Sequence, residues 1–406
     1  MEIIYERCCG IDVHKKQITV CLMKGAKKEI KTFGTMTDDL LQMTNWLKEN
    51  DVEMVAMEST ASYWKPIYNI LEIEGIPAIL VNAQHIKNVP GRKTDVKDSQ
   101  WIANLLKHGM LKASFIPTRD MRELRELVRY RKSLIEERAR EFNRMDKVLQ
   151  GANIKLTSVA SSVDTKSGLA MIKAIAGGEV NAEVLSNMAK GTMKSKKSEL
   201  ERALKGLIQP HQQMILKSMI SHVENLTTAI ETLDAEVDKR LANESDIIEQ
   251  LDEITGVGKR SAEIIISEIG TDMSRFPSAQ NLASWAGMCP GNDQSAGKRK
   301  SGKTRKGNKI LRTTLVQSGR AAANSKNTYL NSQYKRISAR RGANRAVVAV
   351  GHSILIICYN MIKNKSRYNE LGADFFNNQN HELILKRTVK RIESLGYSVT
   401  IEAKTA

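Results

Sequence analysis

Residues 8–33 read CCGIDVHKKQITVCLMKGAKKEIKTF, and their patterning decides the architecture of the first part of the chain. Cys8–Val13, Gln17–Met23 and Glu29–Phe33 are runs rich in apolar or β-branched residues, separated by short polar links. Such runs predict short strands. Asp39–Asn50 then has helical spacing, Val52–Met57 reads as a strand, Tyr63–Glu74 as a helix and Pro77–Val81 as a further strand. Asp95–His108 returns to helical spacing, with Ile102, Leu105 and Leu106 on one apolar face.

Three early strands, a helix and then β/α alternation is the element order of an RNase H-like fold. Helices dominate the remainder. Arg119 to about Ile154 is a long charged helix with apolar positions at Leu124, Leu127, Leu134, Ile135, Phe142 and Met145. From Lys194 to about Ala242 the apolar residues follow a coiled-coil or antiparallel-hairpin pattern, which fits either an ordinary helical arm or a dimerisation arm. Between Leu251 and Gly270, the Ile254-Thr-Gly-Val-Gly258 turn before a helix looks like a helix-hairpin-helix. There, Gly256, Gly258 and Lys259 would admit a nucleic-acid phosphate. A plain tight interhelical turn has the same signature.

The 406 residues carry a formal net charge of +18, which favours a polyanionic partner, most often nucleic acid. Cys8, Cys9, Cys21, Cys289 and Cys358 form no CxxC pair and have no histidine at ligand spacing, so neither structural zinc nor disulfides are implied. No signal-peptide pattern opens the sequence. The apolar stretch Ala346–Tyr359 is too short to span a bilayer and reads as a buried helix. A cytoplasmic protein with no membrane partner is expected.

Two groups of residues carry the chemistry. Asp12 ends the first strand, Glu58 follows the strand Val52–Met57, and Asp95 and Asp98 share one helix face. Four carboxylates from different elements could hold two divalent ions about 4 Å apart, an arrangement suited to phosphodiester chemistry. Asp95 and Asp98 also fit a helix-capping role, and Asp12 an ordinary loop position. The second group is Ser295, which precedes a run rich in Lys298, Arg299, Lys300, Lys303, Arg305 and Lys306. Pro290, Gly291 and Gly297 predict an irregular, exposed segment there. The basic run would attract a phosphate backbone, and a serine beside it could be a nucleophile once activated. By charge alone, Ser301 is an equal candidate, and a solvated serine in a binding loop fits as well.

Taken in order, several segments resemble the DEDD transposases of bacterial insertion sequences, the IS110 family. They are Gly10–Lys15, Met57–Thr60 with Tyr63-Trp64, Lys93–Asp98, Arg122–Arg125 with Arg129–Arg131, Gly256–Gly258, Ala286–Asn292 through Ser295–Arg299, Arg340–Gly342 and Arg345–Val350. The resemblance spans nearly the whole chain. It implies an α/β plus α architecture. A RuvC-like DEDD domain with its trailing helix would take 1–156, a helical linker and coiled-coil arm 157–250, a helical transposase domain 251–375 and a tail 376–406. It further implies that Asp12, Glu58, Asp95 and Asp98 bind Mg²⁺, with Ser295 attacking DNA to form a covalent serine–DNA intermediate in a composite site. Donor and target DNA would be chosen by pairing with a structured bridge RNA, and dimers would pair into tetramers. One departure is Ala61, where the family commonly has glycine. A metal-dependent, structure-selective nuclease would need the acids but not Ser295. A nucleic-acid scaffold with a degenerate site would need neither.

Overall fold

The computed structural model describes residues 2–59, 61–82, 95–290, 293–295, 298–301, 303–304, 306–379 and 381–401, with the side chains of 95–97, 293–295, 298–301 and 383–384 excepted. The chain divides into two compact units, Met1–Ile116 and Pro117–Ala406.

The first unit is a mixed five-stranded sheet with helices on both faces. Strands β1 (Arg7–Val13), β2 (Gln17–Lys24) and β3 (Lys27–Gly34) form an antiparallel meander, while β4 (Met54–Glu58) and β5 (Ala78–Val81) add in parallel beside β1. The order β3-β2-β1-β4-β5 is that of an RNase H-like sheet. Helices α1 (Thr37–Glu49) and α2 (Trp64–Ile73) supply Leu40, Met43, Leu47, Ile67 and Leu71 to one core, packed on Cys9, Ile11 and Val13 of β1. Successive strand residues point to opposite faces. Cys8 therefore joins the other core, with Cys21, Ala56 and Val81, under Ile102, Ala103 and Leu106 of α3 (Asp95–Lys107). Gly10 shares that second face. A β-carbon there would lie 2.3 Å from the Ser99 carbonyl oxygen, so glycine lets α3 cross β1 at backbone contact. All three cysteines of this sheet are buried and free, and burial pushes the thiols of Cys8 and Cys21 up to about 11.

The second unit begins with α4 (Arg119–Gly151). It pairs antiparallel with α8 (Pro210–Arg240): Arg240 bonds Glu123, Arg131 bonds Asp234, and Arg138 donates to Thr227. Leu134 packs on Leu226 and Ile230 in the seam. The tract expected to be helical from Lys194 is interrupted at 205–209, and Pro210 restarts it in the first turn, where a missing N–H has no partner to lose. Short helices α5 (Lys166–Gly177), α6 (Ala182–Ser186) and α7 (Lys197–Leu204) close one end of the pair around Met145, Leu149, Met171, Ile175, Leu200 and Leu216.

Helices α9 (Ser245–Asp252) and α10 (Lys259–Ile269) form a helix-turn-helix, followed by α11 (Ala279–Trp285), a hairpin of β6 (Asp293–Ser295) and β7 (Lys298–Ser301), and a bundle of α12 (Lys309–Asn324), α13 (Tyr329–Arg341) and α14 (Ala343–Asn364). Two further helices, α15 (Phe375–Gln379) and α16 (His381–Glu393), follow. The apolar stretch Ala346–Tyr359 extends into the 22-residue α14, which is long and apolar enough by composition to cross a membrane. More than half of its most apolar window is buried by protein, with Val350, Ile354, Leu355 and Cys358 in the core.

Candidate active site and nucleic-acid interface

The register of the central strands brings Asp12 and Glu58 together. β1 and β4 run parallel with Ile11 opposite Met57, so the next pair along is Asp12 beside Glu58 at the C-terminal ends of both strands. Both have the parity of Gly10 and Ala56, which face α3. Asp12 is 8% exposed, and His14 Nε2 donates to its Oδ2 at 3.1 Å. Helix α3 crosses that face with Ser99 at Gly10 and Lys107 near the start of β1. Its first turn, with Asp98, therefore lies toward the strand ends that carry Asp12 and Glu58. Asp95 opens the helix, but its side chain is outside the described set.

Among the described residues, no three His, Cys, Asp or Glu side chains are gathered closely enough to hold an ion by themselves. The donor chemistry still suits Mg²⁺, which takes hard oxygen ligands and is usually held by one or two carboxylates with water and substrate phosphate completing the shell. Asp12 and Glu58 offer such a pair. After Glu58 the chain turns sharply: Ala61 has φ +46°, a left-handed conformation in which glycine is relaxed and alanine strained.

Ser295 is the last residue of β6, opposite Lys298 of β7, and Gln294 lies opposite Arg299. A register irregularity at Asp293/Gln294 and a bridge between Pro290 and Thr304 complete the hairpin base. The backbone thus carries Ser295 to the turn of a basic hairpin rather than leaving it in an irregular loop. The side chains of Ser295, Lys298, Arg299, Lys300 and Ser301 lie outside the described set, as does the whole of Arg305; Lys303 and Lys306 are exposed.

Beside the hairpin base, the second unit has a cleft of about 1230 Å³. Its cationic lining is Lys303, Arg312, Arg341 and Arg345, its apolar wall includes Met288, Pro290, Val348 and Ala349, and its polar lining includes Gln333, His352 and Ser353. Sequence reading used Arg341 and Arg345 only as family motif residues and did not single out Gln333 or His352. The cleft draws on the α11–β6 link, the β7–α12 link and helices α12 to α14, so no contiguous signal could have marked it. His14 was also passed over, although it lies two residues from Asp12.

The basic face of α4 is engaged inside the unit. Arg129 binds the wholly buried Glu268 through two nitrogens at 2.7 and 2.9 Å, and Arg125 binds its Oε2 at 3.1 Å. Arg125 also donates to the carbonyls of Ser267 and Glu268 at the end of α10. Asn308 Nδ2 reaches Glu268 Oε2 at 2.6 Å, while Asn308 Oδ1 accepts from Leu311 N and caps α12. Glu268 therefore joins α4, α10 and the segment leaving the serine hairpin. Arg122 donates to the Pro117 carbonyl, and Lys132 to Gln317.

The turn before α10 has an internal use as well. Gly256 has φ +87°, and a β-carbon there would stand 2.4 Å from the Ser318 carbonyl oxygen of α12. The close approach that glycine permits is thus made to a neighbouring helix. Gly258 caps α10 in an extended conformation, and Lys259 is exposed and bonded to Asp238 at 2.8 Å, which raises its pKa.

Comparison with known proteins now bears on this geometry. Residues 9–154 match the DEDD transposase model of the IS110 group, described as a transposase, and residues 248–335 match the model described as the transposase IS116/IS110/IS902 family. The first span contains all four acids and the second contains the serine hairpin. The chain is also similar to the transposase for insertion sequence element IS1328 of Yersinia enterocolitica, with 23% identity over 282 residues, 69% of this chain and 74% of that protein. Two models of one family, covering more than half of the chain between them, agree with the sheet order: the chain belongs to the IS110 family of insertion-sequence transposases, enzymes that cut and rejoin DNA.

Proposed function

We propose that this transposase cuts and rejoins donor and target DNA through a covalent bond to Ser295, with Mg²⁺ held by Asp12, Glu58, Asp95 and Asp98. The pairing of Asp12 with Glu58 at adjacent parallel strand ends, facing α3, carries the metal part of this reading. The place of Ser295 at the turn of a basic hairpin supports the nucleophile.

In this scheme Ser295 Oγ loses its proton and bonds to the phosphorus, and the bond from phosphorus to a sugar oxygen breaks. That oxygen leaves as a hydroxyl. Attack by a hydroxyl of a second strand then releases Ser295 and restores a phosphodiester, so bond energy is kept without an external energy source. Mg²⁺ bound by the acids would neutralise phosphate charge and favour ionised oxygens. The buried Asp12 is oriented by His14, and the lysines and arginines of the hairpin stabilise charge on the phosphate.

The wider reading follows the family resemblance. A bridge RNA pairs with donor and target, the protein assembles from dimers into tetramers with residues 157–250 as helical linker and coiled-coil arm, and Gly258 and Lys259 act as a helix-hairpin-helix contact to backbone phosphate. The division 1–156, 157–250, 251–375 and 376–406, and action at the bacterial nucleoid in the cytoplasm, belong to the same reading.

The test is reconstituted recombination. Purified protein, RNA transcribed from the sequence flanking its gene, Mg²⁺ and both DNAs should give joined product, and omission of RNA or chelation of Mg²⁺ should abolish it. Product formed without RNA, or undiminished in EDTA, would overturn the corresponding part.

A further inference from the structure

The serine hairpin leaves the helical bundle through two stems, and the structure fixes those stems to each other and to a buried carboxylate. Gly287 and Pro290 lie on the outgoing stem after α11; Thr304, Gly307 and Asn308 lie on the returning stem before α12. Pro290 bridges Thr304. Nearer the bundle the stems touch backbone to backbone. A β-carbon on Gly307 would lie 2.3 Å from Gly287 N, so no side chain can stand between them. Asn308 N then donates to the Trp285 carbonyl at 3.3 Å.

One amide at Asn308 makes two connections. Its Oδ1 accepts from Leu311 N and caps α12, while its Nδ2 donates to Glu268 Oε2 at 2.6 Å. A cap needs only the acceptor, which serine, threonine and aspartate also supply. Among these capping side chains, asparagine alone has an NH2 group to give a carboxylate while its oxygen caps. Glu268 is a fixed anchor for that group. It is wholly buried on α10 and held by Arg125 and Arg129 of α4. Hydrogen bonds to an ionised acceptor are short and strong. The returning stem is therefore tied to two helices that lie outside the hairpin. Arg125 and Arg129 belong to the span matched by the first family model, Glu268 and Asn308 to the span matched by the second, so the link joins the two.

The base matters because the serine is far from it. Ser295 is five residues beyond Pro290, a reach of at most roughly 17 Å. On a lever of that length, a tilt of about 10° at the base displaces the far end by up to roughly 3 Å. A misplacement of about 1 Å at a reacting group costs on the order of 100-fold in rate.

We infer that Asn308 and Glu268 are positioning residues for the transposition reaction: their hydrogen bond sets the direction in which the hairpin leaves the bundle, and so the place where Ser295 meets the phosphate. The last step of this inference rests on Ser295 as the nucleophile; the holding of the stem does not.

The experiment compares Asn308→Ser, Asn308→Asp and the pair Asn308→Asp/Glu268→Gln with the wild type, on the full chain. Both single variants keep a good cap and lose the donor to Glu268. Asn308→Asp also sets two carboxylates face to face, and the exchanged pair restores one amide against one carboxylate with the roles reversed. Hydrogen-exchange mass spectrometry of the protein alone reads the stem. Amides within 303–308 should exchange about tenfold faster in Asn308→Ser, the effect of one charged hydrogen bond, while the middles of α4 and α12 keep wild-type protection. In the reconstituted reaction at saturating DNA, the single-turnover rate should fall about tenfold or more in Asn308→Ser with DNA affinity unchanged. It should fall further in Asn308→Asp and recover when Glu268→Gln is added.

Wild-type exchange and rate in Asn308→Ser would show a cap and nothing more, and would overturn the inference. So would a rate loss that saturating DNA abolishes, faster exchange spread through α4 and α12, or no recovery in the exchanged pair. If Asn308→Ser fails to fold by circular dichroism, Asn308→Asp with and without Glu268→Gln carries the same comparison. Ser295→Ala, run alongside, separates the two readings. If it still cuts and rejoins DNA, the serine mechanism is refuted, and faster exchange confined to 303–308 in Asn308→Ser leaves the holding of the hairpin standing.

Discussion

Glu268 offers the sharpest test of what holds the second unit together. Its carboxylate is wholly buried and accepts from Arg129 twice, from Arg125 and from Asn308. Burial lowers the Arg125 pKa to about 10, and the charge of Glu268 opposes that shift, so Arg125 remains ionised at neutral pH. Removing the carboxylate in Glu268→Ala leaves one buried and one half-exposed guanidinium facing no anion. Loss of one partner from a buried ion pair costs about 3–5 kcal/mol. At roughly 2–4 °C per kcal/mol for a unit of this size, the melting temperature should fall by about 10 °C. The assay is urea unfolding of wild type, Glu268→Ala, Arg129→Ala and the double variant. The cycle should give a coupling energy above about 1.5 kcal/mol, because the two residues share one network. A single-variant loss under about 1 kcal/mol, or coupling near zero, would refute this role. Glu268 also anchors Asn308, which caps the helix that follows the serine hairpin. Recombination should therefore fall at temperatures where the variant is still folded.

The remaining predictions concern single positions. Ala61→Gly should stabilise the chain by about 1 kcal/mol in denaturant melts by relieving the left-handed conformation; a loss of stability would show that no strain is stored there. Asp12→Asn and Asp98→Asn should each stop DNA cleavage while leaving the circular dichroism spectrum and melting largely intact, and cleavage retained in both would sink the metal reading. His352 is half-buried, and burial lowers its pKa, so the unfolded chain takes up its proton first on acidification. Its contribution to stability is then present above about pH 6.5 and is lost as pH falls toward the lower folded value. His352→Gln should flatten that acid-side slope, and an unchanged slope would contradict the account.

The sheet was legible because each strand announces itself. Buried residues in Cys8–Val13 and Gln17–Met23 and the spacing of Leu40, Met43 and Leu47 lead to the observed elements within a few residues. The pairing of Asp12 with Glu58 was only half legible. Sequence placed each near a strand end, but their adjacency depends on the parallel register of β1 and β4, a contact between segments 46 residues apart. The roles of Arg125 and Arg129 were hidden for a related reason. A basic helix face looks the same whether its partner is solvent, phosphate or a buried glutamate more than a hundred residues later, and only the packing of α10 on α4 distinguishes them. Gly256 shows the same limit: the sequence signalled a close approach and could not say that α12 makes it. The cleft was invisible because Arg312, Gln333, Arg341 and Arg345 converge from three helices.

Covalent trapping tests the central claim most directly. Labelled donor and target DNA, incubated with the protein, its flanking RNA and Mg²⁺, would be run on a denaturing gel. The account predicts a protein–DNA adduct that disappears with Ser295→Ala and persists with Ser301→Ala. Cleaved DNA without an adduct, unaffected by Ser295→Ala, would contradict it and identify a metal-dependent nuclease instead.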